Sequence, residues 1–152
     1  VWGKTKDPGS VYYDVTWVAF AGETIPAEVA KLFRIVRDAR DAGVTFVQQA
    51  VAEGRQFEGW EVDRACRSVI ERAGYGHRFT HRTGHGLGLE GHEPPYIVEG
   101  NAVPLEVGNT FTIEPGIYVP GLGGVRIEDD MVITANGAES LTTYDRELRV
   151  IG

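Results

Sequence analysis

"HRTGHGLGLEGHEPP", residues 81–95, gathers three of the chain's four histidines into twelve positions, with four glycines and a Pro-Pro pair. Its reading decides the fold because it excludes a helix. Gly84, Gly86 and Gly88 would each cost a helix about 1 kcal/mol relative to alanine, so an extended or looped backbone must carry His81 and His85. His92-Glu93 runs into Pro94-Pro95, which removes the helical HExxH pattern of zinc proteases. The evenly spaced glycines also fail the dinucleotide fingerprint, since Leu89 stands where its last glycine belongs and no helix can run into Pro94. Three imidazoles on a glycine-rich backbone remain, and their chemistry has to be read from other parts of the chain.

Carboxylates supply the next clue. Asp14 in "YYDVTW", Glu114 in "FTIEPG" and Glu128 in "VRIEDD" all lie within strongly apolar, strand-like segments. A carboxylate buried alone costs several kcal/mol, so buried acids are paired, hydrogen-bonded or bound to metal. Three of them beside a histidine-glycine segment point to a metal. A set of carboxylate oxygens with one imidazole favours Mn, Fe, Co or Zn over a thiolate-rich structural zinc. Periodicity leaves open whether the site is mononuclear or dinuclear, and which reaction it serves.

The rest of the chain frames that site. Residues 11–21 read as a strand. Pro26 suits the first helical position, and Val29, Leu32, Phe33, Val36, Ala39, Val47 and Val51 keep helical spacing to about Gly54. A second helix is expected from about Gly59 to Ala73, with Val62, Cys66, Val69 and Ile70 inward and Gly74 ending it. Residues 109–120 and 123–134 read as strands, and Asn136-Gly137 is a hairpin signal. Strand, two helices, then mostly strands make an α+β domain. The chain has 152 residues, 42% hydrophobic and 24% charged, which suffices for one domain with a real core. Its net charge of −7 argues against nucleic acid or an anionic membrane as partner and suits cations. No apolar run approaches the roughly 18 residues of a membrane span. One cysteine, Cys66, fits a reducing compartment, so the cytoplasm is expected. With Val1 first and Met131 the only methionine, the chain reads as a piece of a longer product.

Taken together, "VYYDVTW", "HRTGHGLGLEGHEPP" and "FTIEPGIYVPGLGGVRIEDD" resemble, in order, the metal-binding blocks of the proline-specific metallopeptidases. These are the Xaa-Pro dipeptidases and Xaa-Pro aminopeptidases, relatives of methionine aminopeptidase. The resemblance implies the α+β pita-bread (creatinase/aminopeptidase-like) fold, truncated at its N-terminus, with residues 1–152 a single, incomplete catalytic domain. By position it implies Asp14, His85, Glu114 and Glu128 as metal ligands. It places His92 and His81 beside the substrate as donors, with Arg126 next to the last glutamate, and Glu114 as proton carrier. The implied chemistry is hydrolysis of the Xaa-Pro bond of short peptides by a hydroxide held between two divalent metals about 3.5–4 Å apart. Manganese is expected, with Co, Fe or Zn as substitutes, and a homodimer is the expected assembly.

The family's fifth ligand, an aspartate, would precede Val1; Asp7 lies nearby, but its Asp-Pro-Gly setting reads as a turn. One tight metal and one weak one are therefore expected. The same fold also hosts creatinase-like hydrolysis without metal and non-catalytic binding modules, and these stand as the alternatives. Trp2, Trp17 and Trp60 are expected in core or interface, Cys66 as inert core and His77 at the surface. Strand alternation should turn Asp129 away from the side that Glu128 faces.

Overall fold

The computed structural model of the chain describes residues 1–143 and 146–152, with two α-helices and eleven strands among them. In chain order, β1 (Trp2–Gly3), β2 (Tyr13–Asp14) and β3 (Ala19–Ala21) precede α1 (Ala27–Ala52) and α2 (Gly59–Arg72). Then come β4 (Gly84–Leu87), β5 (His92–Ile97), β6 (Thr110–Ile113), β7 (Gly116–Val119), β8 (Gly123–Arg126), β9 (Asp129–Thr134), β10 (Gly137–Ser140) and β11 (Arg149–Ile151). The main sheet is antiparallel, ordered β10-β9-β6-β4-β5. Hairpins β1-β2 and β7-β8 and the parallel pair β11-β3 lie outside it.

Helix α1 begins one residue later than the sequence suggests, with Pro26 as its cap in extended conformation. Its buried stripe runs from Leu32 and Phe33 through Val36 and Ala39 to Val44, Val47 and Ala50. Burying each of its Val, Leu and Phe side chains contributes roughly 1.5–3 kcal/mol. The stripe serves two cores. Its first half packs with Ile70, Phe79, Ile117, Val125 and Ile127, and its second half with Val62, Cys66, Phe111, Ile113 and Met131. Between the two halves lies the fully buried Arg40, paired with the equally buried Asp129. Helix α2 starts at a capping box that sequence reading passes over: Glu58 and Glu61 satisfy each other's backbone amides. Gly74, at φ 85°, follows its end as expected.

Residues 11–21 do not form one strand. Only β2 and β3 are ladder segments, with a single bridge from Thr16 to Glu128 lying between them, because β2 pairs with β1 while β3 turns to β11. The hairpin at 134–137 is present, but Gly137 alone takes a positive φ, and Ala135-Asn136 form its loop. Cys66 is buried and His77 exposed, as expected. The three tryptophans are not core: Trp2, Trp17 and Trp60 are 53%, 56% and 40% exposed.

The glycine-rich segment becomes strand β4, packed between β5 and β6. A Cβ on Gly84 would collide with the Thr112 carbonyl, and one on Gly86 with the Pro94 carbonyl. The glycines are thus close-approach positions, and they let the intervening His85 reach the other face. Pro94 and Pro95 sit on the edge strand β5, where the register shifts between His85 and Gly86. An edge strand with a bulge is where prolines can be held without losing ladder bonds.

Candidate metal centre

Strand alternation delivers the acids. On β9, Asp129, Met131 and Ile133 belong to the face under the helices, leaving Glu128 and Asp130 to the other face. On β6, Phe111 and Ile113 join the core, so Thr112 and Glu114 face the same way as Glu128. The short β2 brings Asp14 against them, its backbone N–H donating to Asp130 Oδ2 at 3.2 Å. Asp14 and Glu114 are 7% exposed, and His85 and Glu128 only 1%.

Two groups of ligand atoms converge. Those of His85, Glu114 and Glu128 lie within 4.8 Å of one another, as do those of Asp14, His85 and His92. His85 Nε2 stands 3.4 Å from Glu114 Oε1 and 4.0 Å from Asp14 Oδ2. His85 Nδ1 lies 3.0 Å from the Gly86 carbonyl, which can only accept, so Nδ1 carries the hydrogen and Nε2 offers a lone pair to the acids. Burial, then the neighbouring His92 and Arg82, lower the His85 pKa and keep the ring neutral. Thr112 ties two candidate ligands together: its hydroxyl accepts from the His85 backbone N–H at 3.1 Å and donates to Glu114 Oε1 at 3.3 Å. The Thr16 hydroxyl donates to Glu128 Oε2 at 2.5 Å.

Electrostatically the centre has too many anions. Burial, then the charge of Glu128, pushes the Glu114 carboxyl up to about 8. Burial pushes Glu128 up as well, with Asp14 adding to it. Asp130 is pushed up to about 7, again by burial first, and its Oδ1 has no hydrogen-bond partner among the described residues. Arg126 Nη1 stands 3.9 Å from Glu114 Oε2 and favours its charged form, yet the carboxyls of Glu114 and Glu128 stay raised. A divalent cation fits this donor set in charge and in ligand chemistry.

Around these groups opens a cleft of about 620 Å³, lined by Val1, Trp2, Glu90 and Arg126 together with Asp14, His92, Glu114 and Glu128. Trp2 stacks on Tyr12 with ring centroids 4.5 Å apart and presents an edge to His92. A smaller recess of about 390 Å³ adjoins it, lined by His81, Arg82, His92, Glu114 and Arg126. His81 Nδ1 lies 2.8 Å from the Arg82 carbonyl, so that nitrogen bears the hydrogen, and the Tyr118 hydroxyl donates to Nε2 at 2.8 Å. Burial, then the charges of Arg126, Arg67 and Arg82, lower the His81 pKa. In its neutral form His81 therefore borders the recess with its Nδ1 hydrogen and its Nε2 lone pair both engaged.

All seven residues singled out from the sequence meet around the cleft and its recess, while Asp7 stands in an exposed turn away from them. Thr16, Thr112, Tyr118, Asp130, Arg82 and Trp2 are additions that only the structure reveals.

Comparison with known proteins places the family and the fold. The model of metallopeptidase family M24 matches residues 7–135. An Xaa-Pro dipeptidase of Lactobacillus helveticus is 44% identical over 121 residues, 80% of this chain and 31% of that protein. The crystal structure of dipeptidase PepE from Mycobacterium ulcerans superposes with a TM-score of 0.86 at 43% identity, over 98% of this chain and 38% of that one. An X-Pro aminopeptidase from Thermotoga maritima gives 0.81 at 35% identity, over 94% and 42%. The fold is thus the pita-bread fold of these enzymes. The chain spans about a third of the length of the curated relatives it matches.

Proposed function

The chain belongs to metallopeptidase family M24, and from that premise we propose that its acid-lined cleft binds a divalent cation and hydrolyses the bond before proline in short peptides. One observation carries the reading: His85, Glu114 and Glu128 are buried together with their ligand atoms converging, and Asp14 stands beside them. Manganese is the first candidate, with Co, Fe and Zn compatible with the same donors. A divalent ion held there supplies Lewis acidity and lowers the pKa of a bound water. Four ligands on this chain suffice for one tight ion and leave a second weakly held; calorimetry finding two equally tight sites would refute that stoichiometry.

The chain's own groups then have distinct tasks. Glu114 takes the proton of the attacking water and delivers it to the proline nitrogen as the C–N bond breaks. Arg126 steadies the Glu114 carboxylate. His92, exposed at the cleft mouth 3.9 Å from Asp14 Oδ2, donates to the developing oxyanion. His81 acts by aiming the Tyr118 hydroxyl. Trp2 offers an apolar wall to the residue before proline. Proline suits a dedicated site because its imide nitrogen carries no hydrogen and its φ is fixed.

The test is elemental analysis after dialysis, paired with hydrolysis of an Xaa-Pro dipeptide and tripeptide in added Mn²⁺. Bound metal with dipeptide cleavage alone supports a dipeptidase; cleavage of both supports an aminopeptidase. Metal without cleavage of either leaves the centre standing and removes the peptidase reading for this chain. No metal at all overturns the ligand assignment and favours a non-catalytic binding module.

A further inference from the structure

His85 and His92 are chemically equivalent rings in contact, with centroids 3.9 Å apart and planes tilted by 42°. Their Nε2 atoms stand 4.0 and 3.9 Å from the same oxygen, Asp14 Oδ2. By ligand-atom distance alone, both could join Asp14 around one ion. The proposed function, on which this inference rests, needs them to differ: one must ligate through a lone pair and the other must donate a hydrogen.

The second nitrogen of each ring makes the difference. At His85 it faces a backbone carbonyl, which only accepts, and this frees Nε2 as a ligand. At His92 it faces Arg82 Nη2 at 3.2 Å. A guanidinium only donates, so His92 Nδ1 is the acceptor and Nε2 carries the hydrogen. We propose that Arg82 is a positioning residue that locks His92 as an Nε2–H donor and keeps it out of metal coordination, so that two touching imidazoles take opposite roles.

Arg82 is built to hold that setting. Its guanidinium lies over the Tyr96 ring, 4.9 Å from the centroid. Tyr96 is the β5 residue directly opposite His85, on the strand that begins with His92. The guanidinium is thus fixed to the strand that carries the ring it controls. The backbone carbonyl of Arg82 also sets the tautomer of His81, but that contact does not depend on the side chain. Removing the guanidinium also takes a charge from near His81 and His85, but their Nδ1 atoms keep their backbone carbonyls, so of the three rings only His92 loses the partner that sets its tautomer.

The experiment is a long-range ¹⁵N–¹H correlation spectrum of the imidazoles in the ¹⁵N-histidine-labelled chain, metal-free and above the imidazole titration range. It compares the native chain with Arg82→Met, which keeps the stem on Tyr96 without a donor, and Arg82→Lys, which restores one. The native chain should show His92 as Nε2–H and His85 as Nδ1–H. In Arg82→Met the Nδ1–H share of His92 should rise about tenfold, as expected for losing a charged hydrogen bond, with His85 unchanged; Arg82→Lys should reverse much of it. Adding Zn²⁺ as a diamagnetic probe should move only the His85 Nε2 resonance in the native chain, and those of both rings in Arg82→Met. A native His92 already mixed between tautomers, a His92 unaffected by Arg82→Met, or His92 ligating Zn²⁺ in the native chain would overturn the proposal. If neither ring responds to Zn²⁺, the metal reading fails, while the metal-free spectra still decide the role of Arg82. The unchanged His85 signals show that the variants are folded.

Discussion

Glu128 and Asp129 are adjacent and almost equally buried, yet the two faces of the sheet treat them in opposite ways. On the helix side, Asp129 meets the Arg40 guanidinium and accepts from the Thr142 hydroxyl at 2.7 Å. Asp63, on the buried side of α2, is likewise paired with Arg67 through two bonds of 2.9 Å and accepts from Thr83. On the cleft side, Glu128 accepts from the Thr16 hydroxyl and otherwise stands among the acids Glu114, Asp14 and Asp130, which Arg126 offsets only in part. Charge paired within the chain serves structure. Charge buried without its counter-ion marks a place where the counter-ion comes from solution.

Breaking the pair on one face should therefore cost far more than neutralising an acid on the other. Asp129→Ala leaves Arg40 buried without Asp129 and should lose roughly 3–5 kcal/mol in denaturant unfolding. Glu128→Gln, one residue earlier, should leave the metal-free protein as stable as before or slightly more so. Equal losses for the two variants would erase the distinction between the faces.

Supplying the missing cation is the converse manipulation. At about 100 times its dissociation constant, a divalent ion should stabilise the native chain by about 2.7 kcal/mol, seen as a rise in thermal midpoint that a chelator reverses. Glu128→Gln and His85→Ala should lose that gain, whereas Arg67 and Asp63 variants, weakened for structural reasons, should keep it. A gain that survives in His85→Ala would place the ion elsewhere.

The pH response sharpens the same contrast. Glu114 and Asp130 have folded-state values raised to about 8 and about 7, above the ordinary carboxylate values near 4. Raised carboxyls bind protons more tightly folded than unfolded, so their contribution is complete below about pH 4 and is lost as pH rises through about 8. Metal-free protein should accordingly lose thermal stability between about pH 5 and pH 9, and the loaded protein should lose less. Parallel profiles with and without metal would contradict the excess of anions.

The smallest effect is expected at Thr112, which bridges two ligands without being one. Thr112→Val should cost about 1 kcal/mol in unfolding and about tenfold in metal affinity. An unchanged affinity in titration calorimetry would make the hydroxyl a packing group.

Much of this contrast was legible in the chain itself. The acids at 14, 114 and 128 announced themselves by sitting among apolar neighbours, and alternation alone separated Glu128 from Asp129. The residues that steady them gave no such signal. Thr16 and Thr112 are ordinary strand residues, and the Thr16–Glu128 bond joins positions 112 apart. Tyr118 and Arg82 acquire their meaning only from a histidine on another element or in another register. Trp2 was expected in a core or an interface, and the structure places it 53% exposed, stacked on Tyr12 at the cleft. The break of residues 11–21 into β2 and β3 likewise depends on partners, β1 and β11, that lie at opposite ends of the chain.

By itself, the sequence determined where helices and strands could form and which acids had to find a partner. Those properties follow from the period of apolar residues and from the cost of burying charge, both local along the chain. Only the tertiary structure decided which nitrogen of each histidine carries its hydrogen, which acid meets an arginine and which meets other acids. Hydrogen bonds and ion pairs act over a few ångströms in space and are indifferent to separation in sequence. The chain could therefore mark the candidate ligands, but their settings appear only once the strands are in register.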